Sequence, residues 1–81
     1  MASARTGVVF RALSDPTRRR ILDALKRRPR TTGQLAKRFS RLSRFAVMKH
    51  LGVLERANLV IVRREGRVRW NHLNAVPIRL V

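Results

Sequence analysis

Apolar residues recur along this chain in two rhythms, helical up to about residue 57 and strand-like from Val60 onward. Val9 and Leu13 stand at i, i+4 within the apolar segment Val8 to Leu13, which predicts one or two helical turns. The next stripe, Ile21, Leu22 and Leu25, follows Ser14-Asp15-Pro16-Thr17. Asp15 is a good N-cap, and Pro16 suits the first helical position, where an amide hydrogen has no partner within the helix. Arg18, Arg19 and Arg20 then occupy a first turn whose dipole disfavours cations, so either an anionic group compensates nearby or the penalty is tolerated. Pro29 ends this helix. Leu35, Ala36 and Phe39 form a further inward set behind Thr31-Thr32-Gly33-Gln34, where Thr31 and Gln34 stand at capping-box spacing. After the tight connection Ser40-Arg41-Leu42, Ser43 caps the next helix, which stops at Asn58, a residue suited to a left-handed terminus.

Beyond Asn58 the pattern changes. Val60, Ile61 and Val62 are β-branched, Arg63-Arg64 leads into Glu65-Gly66, and Arg67 to Leu73 alternates. Val68, Trp70 and His72 share one face, and Arg67, Arg69 and Asn71 the other. This predicts a hairpin turning at Glu65-Gly66, with Trp70 on its apolar face and toward the core. The expected fold class is therefore mainly α with a small β-hairpin. Two helices joined by about three residues make a helix-turn-helix, and the basic hairpin that follows makes it winged.

A helical wheel divides the helix that Ser43 caps. Val47, Leu51 and Leu54 gather on one side with Ala57 at the border, while Phe45, Met48, Lys49, Gly52 and Arg56 fall opposite. Arg44 and His50 lie on the flanks. In a helix-turn-helix the N-terminal residues of the second helix meet base edges. Arg44 and Lys49 can donate to guanine, Phe45 and Met48 can touch a thymine methyl, and Ser43 can place a phosphate near the positive helix end. His50 can donate to a phosphate from the flank, and Gly52 leaves room for a close approach. Other roles fit some of the same residues: Phe45 folding back on Phe39 and Leu42, Met48 filling a gap, His50 packing between helices. In the wing, Arg63, Arg64, Arg67 and Arg69 suit phosphates or the adjacent minor groove, and equally suit protection of a strand edge by charge.

Composition sharpens the partner. The 81 residues suffice for one small domain, which buries only ~60% of its unfolded surface and gains from a partner subunit. Residues 1–6 are expected as a tail. Lys and Arg number 20 against 4 acids, a net charge of +16 that favours a polyanion, most simply nucleic acid. Because basic residues recur in every segment, arginine alone does not locate the binding face, and a general nucleic-acid-binding protein of nucleoid or RNA type fits the charge as well. There is no cysteine, which excludes disulfides and thiolate metal sites and fits a cytoplasmic location. No apolar run approaches the ~20 residues of a membrane helix, and the N-terminus lacks a secretory pattern. Two histidines and four acids offer no clustered nucleophile and base, so the chain is not expected to be an enzyme.

The runs FRALSDPTRRRILDAL, LSRFAVMKHLGVLERANLV and RREGRVRWNHLN, in that order, resemble the ArsR/SmtB family of winged helix-turn-helix repressors. The resemblance covers Val8 to about Ile78. It implies a homodimeric repressor of double-stranded DNA with an inverted-repeat operator, and it turns the positions of Arg44, Phe45, Met48, Lys49 and His50 toward DNA. Many relatives carry small polar residues at Phe45 and Met48, which implies a different operator with more apolar contact. Founding members sense metals through cysteines on the helix matching Thr31 to Phe39; with no cysteine here, neither that metal site nor any cofactor is expected. Other members use a C-terminal helix for zinc and for dimerisation. Residues 76–81 match only its start, so the interface is expected to draw on Val8–Leu13 and that C-terminal segment.

Overall fold

Each main helix begins where a side chain supplies the acceptor that a first turn lacks. The computed structural model describes residues 4–74. Helix α1 (Ala4–Leu13) is followed by α2 (Pro16–Arg27), the short strand β1 (Arg30–Thr31), α3 (Thr32–Arg38), α4 (Arg44–Arg56), β2 (Val60–Glu65) and β3 (Val68–Leu73). At the start of α2, Asp15 Oδ1 accepts from the backbone N–H groups of Thr17 at 2.7 Å and Arg18 at 3.1 Å. At α3 the capping box closes in both directions: Gln34 N–H donates to Thr31 Oγ1, and Thr31 N–H to Gln34 Oε1, each at 3.0 Å. Ser43 Oγ accepts from Ala46 N–H at 3.0 Å before α4. Asn58 sits at φ 66°, in the left-handed region that ends a helix, and its N–H donates back to Glu55 O.

Burial then fixes the arrangement. Val47, Leu51, Leu54 and Ala57 of the α4 region are at most 3% exposed and close on Ile21, Ala24, Leu25, Leu35, Leu59 and Val60. Full burial of one such aliphatic side chain is worth roughly 1.5–3 kcal/mol. The predicted division of α4 into a dry and a wet side is the observed one.

Four features differ from the sequence expectation. Helix α1 starts at Ala4, so helix already occupies part of the expected tail at 1–6, because Ala12 is buried and Val9 and Leu13 pack against the core. The connection between α3 and α4 spans residues 39–43, closed by Leu42 N–H on Phe39 O at 2.9 Å. The sheet has three strands in the order β1-β3-β2, all antiparallel, because a two-residue strand is too short to show a period. The hairpin loop is Gly66-Arg67, with Glu65 paired to Val68; Gly66 takes φ 62° at the first loop position, as a type II′ turn requires. The expected C-terminal segment 76–81 lies outside the described residues.

The faces of β3 are also the reverse of those expected. Val60, Val62 and Arg64 pair with Leu73, Asn71 and Arg69, which places Arg69 and Asn71 on the inner face. Val68, Trp70 and His72 form the outer face with Ile61 and Arg63; Val68 is 43% exposed and Trp70 half-buried. A period-two pattern gives alternation but not which set is inward. Asn71 decides it: fully buried, its Nδ2 donates to Arg30 O at 3.2 Å and Thr32 Oγ1 at 3.1 Å, tying β3 to β1 and α3. We expect Asn71→Ala to destabilise by about 1–3 kcal/mol in chemical denaturation, and Val68→Ala by roughly 0.5 kcal/mol or less. The opposite ranking would restore the opposite face.

Candidate nucleic-acid interface

The wet side of α4 gathers polar and apolar groups at the helix's N-terminal half. Phe45 is 71% exposed and Met48 46% exposed, so neither folds back into the core. Lys49 Nζ lies 5.7 Å from the centre of the Phe45 ring, a cation–π distance that holds the two side chains together on the surface. Arg44 is exposed beside them. Ser43 is exposed and its Oγ already serves the first turn. The nearest group to a Cβ built on Gly52 is Arg56 Nη1 at 3.4 Å, the end of a flexible side chain at ordinary contact distance.

The wing brings a second set of arginines to the same place. Arg44 and Met48 of α4, Arg64, Arg67 and Arg69 of the hairpin, and Thr31 and Gly33 at the start of α3 line one open cleft of about 390 Å³. Arg69 is the anchor of this arrangement, since its Nη2 donates to Glu55 Oε1 at 3.1 Å and so binds the wing to the far end of α4. Arg63 does not join the cleft; it pairs with Trp70 on the outer face. His50 does not join either. It is half-buried, and its Nδ1 lies 3.3 Å from Arg18 Nη1 of α2.

A helix-turn-helix domain model matches residues 13–63 of the chain. The transcriptional repressor SdpR of Bacillus subtilis is 38% identical over 71 residues, covering 88% of this chain and 78% of SdpR. Among solved structures, an ArsR family transcriptional regulator superposes with a TM-score of 0.84 at 36% identity, covering 96% of this chain and 81% of that one. The chain belongs to the ArsR/SmtB family. HlyU from Vibrio cholerae shares the fold as well, with a TM-score of 0.83 at 29% identity over 94% of this chain and 82% of its own. Membership makes this a DNA-binding transcriptional regulator of the winged helix-turn-helix class and not an enzyme.

In this ArsR/SmtB-family regulator the arginines of the α2 first turn have a clear purpose. Arg18 Nε donates to Ala12 O at 2.8 Å and its Nη2 to Arg11 O at 2.9 Å, while Arg19 Nη1 donates to Leu13 O at 2.7 Å. They cap the carbonyl end of α1, whose partial negative charge offsets their poor position on α2. Arg18 also stands 3.8 Å from Asp15 Oδ2. One side chain thus joins α1, the cap of α2 and, through His50, α4. Neither Arg18 nor the cleft residues Thr31 and Gly33 were singled out as site residues by sequence reasoning. Their capping motif was legible, but the end of α3 that faces α4 is a tertiary fact.

Burial alone would raise the Asp15 pKa, but the N–H groups of Arg18 and Thr17 and the charges of Arg18 and His50 outweigh it and hold the carboxyl below its ordinary 3.8. A lowered carboxylate contributes stability above its unfolded pKa and loses it as pH falls through the folded one. Asp15→Ala is therefore expected to cost about 1 kcal/mol near neutral pH. In denaturation curves the gap from wild type should narrow only once the pH drops below about 4. A gap that persists undiminished at pH 2 would assign the loss to something other than the charge.

Proposed function

We propose that two copies of this chain read an inverted-repeat operator and repress transcription from it, each laying α4 in a major groove with its wing along the neighbouring backbone or minor groove. The observation that carries this reading is the convergence of Arg44 and Met48 with Arg64 and Arg67 on one open cleft. A helix ~10–12 Å across fits the ~12 Å major groove, and a cleft flanked by arginines beside it suits a phosphate strand. Arg44 and Lys49 then donate to guanine edges, Phe45 and Met48 lie against thymine methyls, and Ser43 meets a phosphate at the helix start. Arg67 at the wing tip contacts backbone, whereas Arg69 and His50 serve chiefly to hold wing and helix in place. Repression follows the named role of SdpR, and the site of action is the cytoplasmic DNA.

Helix α1 supports the dimer. It buries Ala12 and packs Val9 and Leu13 inward, yet leaves Phe10 71% and Val8 38% exposed. The exposed Phe10 is a large apolar side chain suited to a contact with a second copy.

Selection of bound sequences from a random duplex pool tests the reading. A two-fold repeat should emerge, favoured over random duplex by ~10³ or more at near-physiological salt. A ratio near one with no enriched sequence would leave a general nucleic-acid-binding protein. On the selected site, Arg44→Ala should cost roughly 1–3 kcal/mol and relax preference at particular base pairs; a uniform loss on all duplexes would make it a phosphate contact. Phe10→Glu should shift a dimer to monomer in sedimentation, and an unchanged dimer would move the interface off α1.

A further inference from the structure

The reading face uses only part of the positive charge. Among the described residues two ion pairs form, Arg18 with Asp15 and Arg69 with Glu55, leaving most cations without a carboxylate. Several of these line up away from α4. Lys37 of α3 shares an open cleft of about 510 Å³ with Arg44 of α4. Arg38, its neighbour in sequence, shares a second cleft of about 450 Å³ with Arg20 and Arg27 of α2, floored by the half-buried Phe39. Arg44, Lys37, Arg38, Arg27 and Arg20 are all exposed, and the adjacency of Lys37 and Arg38 on α3 links the two clefts into a row of cations. Asp23 is the one carboxylate in the two clefts, and it makes no ion pair among the described residues.

The row is electrostatically unfavourable by itself. Desolvation first, and then the charges of Arg38, Arg28 and Arg27, press the pKa of nearby Arg30 below its ordinary value. Self-repulsion of this kind weakens the compact state and is relieved by a polyanion.

Resting on the DNA-reading proposal above, we propose that Lys37, Arg38, Arg27 and Arg20 form a second, sequence-independent phosphate track that follows the backbone of the same duplex beyond the base pairs read by α4. The row is continuous with Arg44, at the start of the reading helix.

The test compares wild type with the combined Arg20→Gln, Arg27→Gln, Arg38→Gln variant on random-sequence duplexes of about 12 and about 40 base pairs, the shorter being little more than one helical turn. On the long duplex the variant should lower the slope of log affinity against log salt by about 2–3 units, since each lost phosphate contact removes about 0.9. On the short duplex the slope should stay near that of wild type. The matching Arg→Lys variant should keep the wild-type slope on both. If the triple variant does not fold by circular dichroism, Arg38→Gln alone should lower the long-duplex slope by about one unit. An unchanged slope on the long duplex, or an equal loss on both lengths, overturns the track. Equally tight binding of a polyglutamate peptide would overturn its assignment to phosphate. Wild type binding neither duplex would instead remove the DNA-reading proposal on which the track rests.

Discussion

The stripe Val47, Leu51 and Leu54 becomes dry only when α4 lies against α2 and α3, and that placement leaves the helix no choice about what it shows to solvent. With 3.6 residues per turn, burying these three positions turns Phe45, Met48 and Lys49 outward together. The wet face of α4 is thus the geometric complement of the core. It cannot be rotated without exposing aliphatic side chains, each worth roughly 1.5–3 kcal/mol when buried. The same constraint explains why two large apolar residues remain on the surface: phase along the helix, not hydrophobicity, assigns their side.

Polar contacts then set the finer position of the elements around that core. Arg18 holds the carbonyl end of α1 and reaches His50 on α4, so the helix with the exposed Phe10 and the reading helix meet at one guanidinium. Arg69 ties the wing to Glu55, and Asn71 ties β3 to β1 and α3. In a domain this short such contacts matter more than in a large one, because a small core leaves little stability to spare. They also separate two kinds of arginine. Arg18 and Arg69, which hold elements together, are partly buried and each stand beside a carboxylate, while Arg44, Arg64 and Arg67 of the cleft and Arg20, Arg27 and Arg38 of the α2–α3 flank are exposed with no carboxylate partner among the described residues.

Much of this was legible in the chain. The caps at Asp15, Thr31 and Ser43, the stop at Asn58 and the dry side of α4 all depend on residues a few positions apart, and short-range geometry is what a sequence encodes directly. The misread features are those where local rules permit two answers. Along β3 the alternation of Val68, Trp70 and His72 with Arg69 and Asn71 is compatible with either face inward. Hydrophobicity favoured the first set, but the buried amide of Asn71 has partners in β1 and α3 that only the folded chain supplies. The hairpin loop was misplaced by one residue for a related reason: Gly66 marks the turn, but register decides whether it is the first or the second loop position.

The sequence by itself therefore determined the order of the helices and the hairpin, the starts of α2, α3 and α4, the side of α4 that stays wet and the family to which the chain belongs, because each rests on neighbours along the helix or on a run of residues in order. Tertiary structure decided which of the candidate residues act together. It joined Arg44 and Met48 to Arg64 and Arg67 across a cleft, turned Arg63 away, and drew His50 and Arg69 into holding contacts with Arg18 and Glu55. Those outcomes depend on distances between segments far apart in the chain, which follow from how the core packs and not from any local pattern.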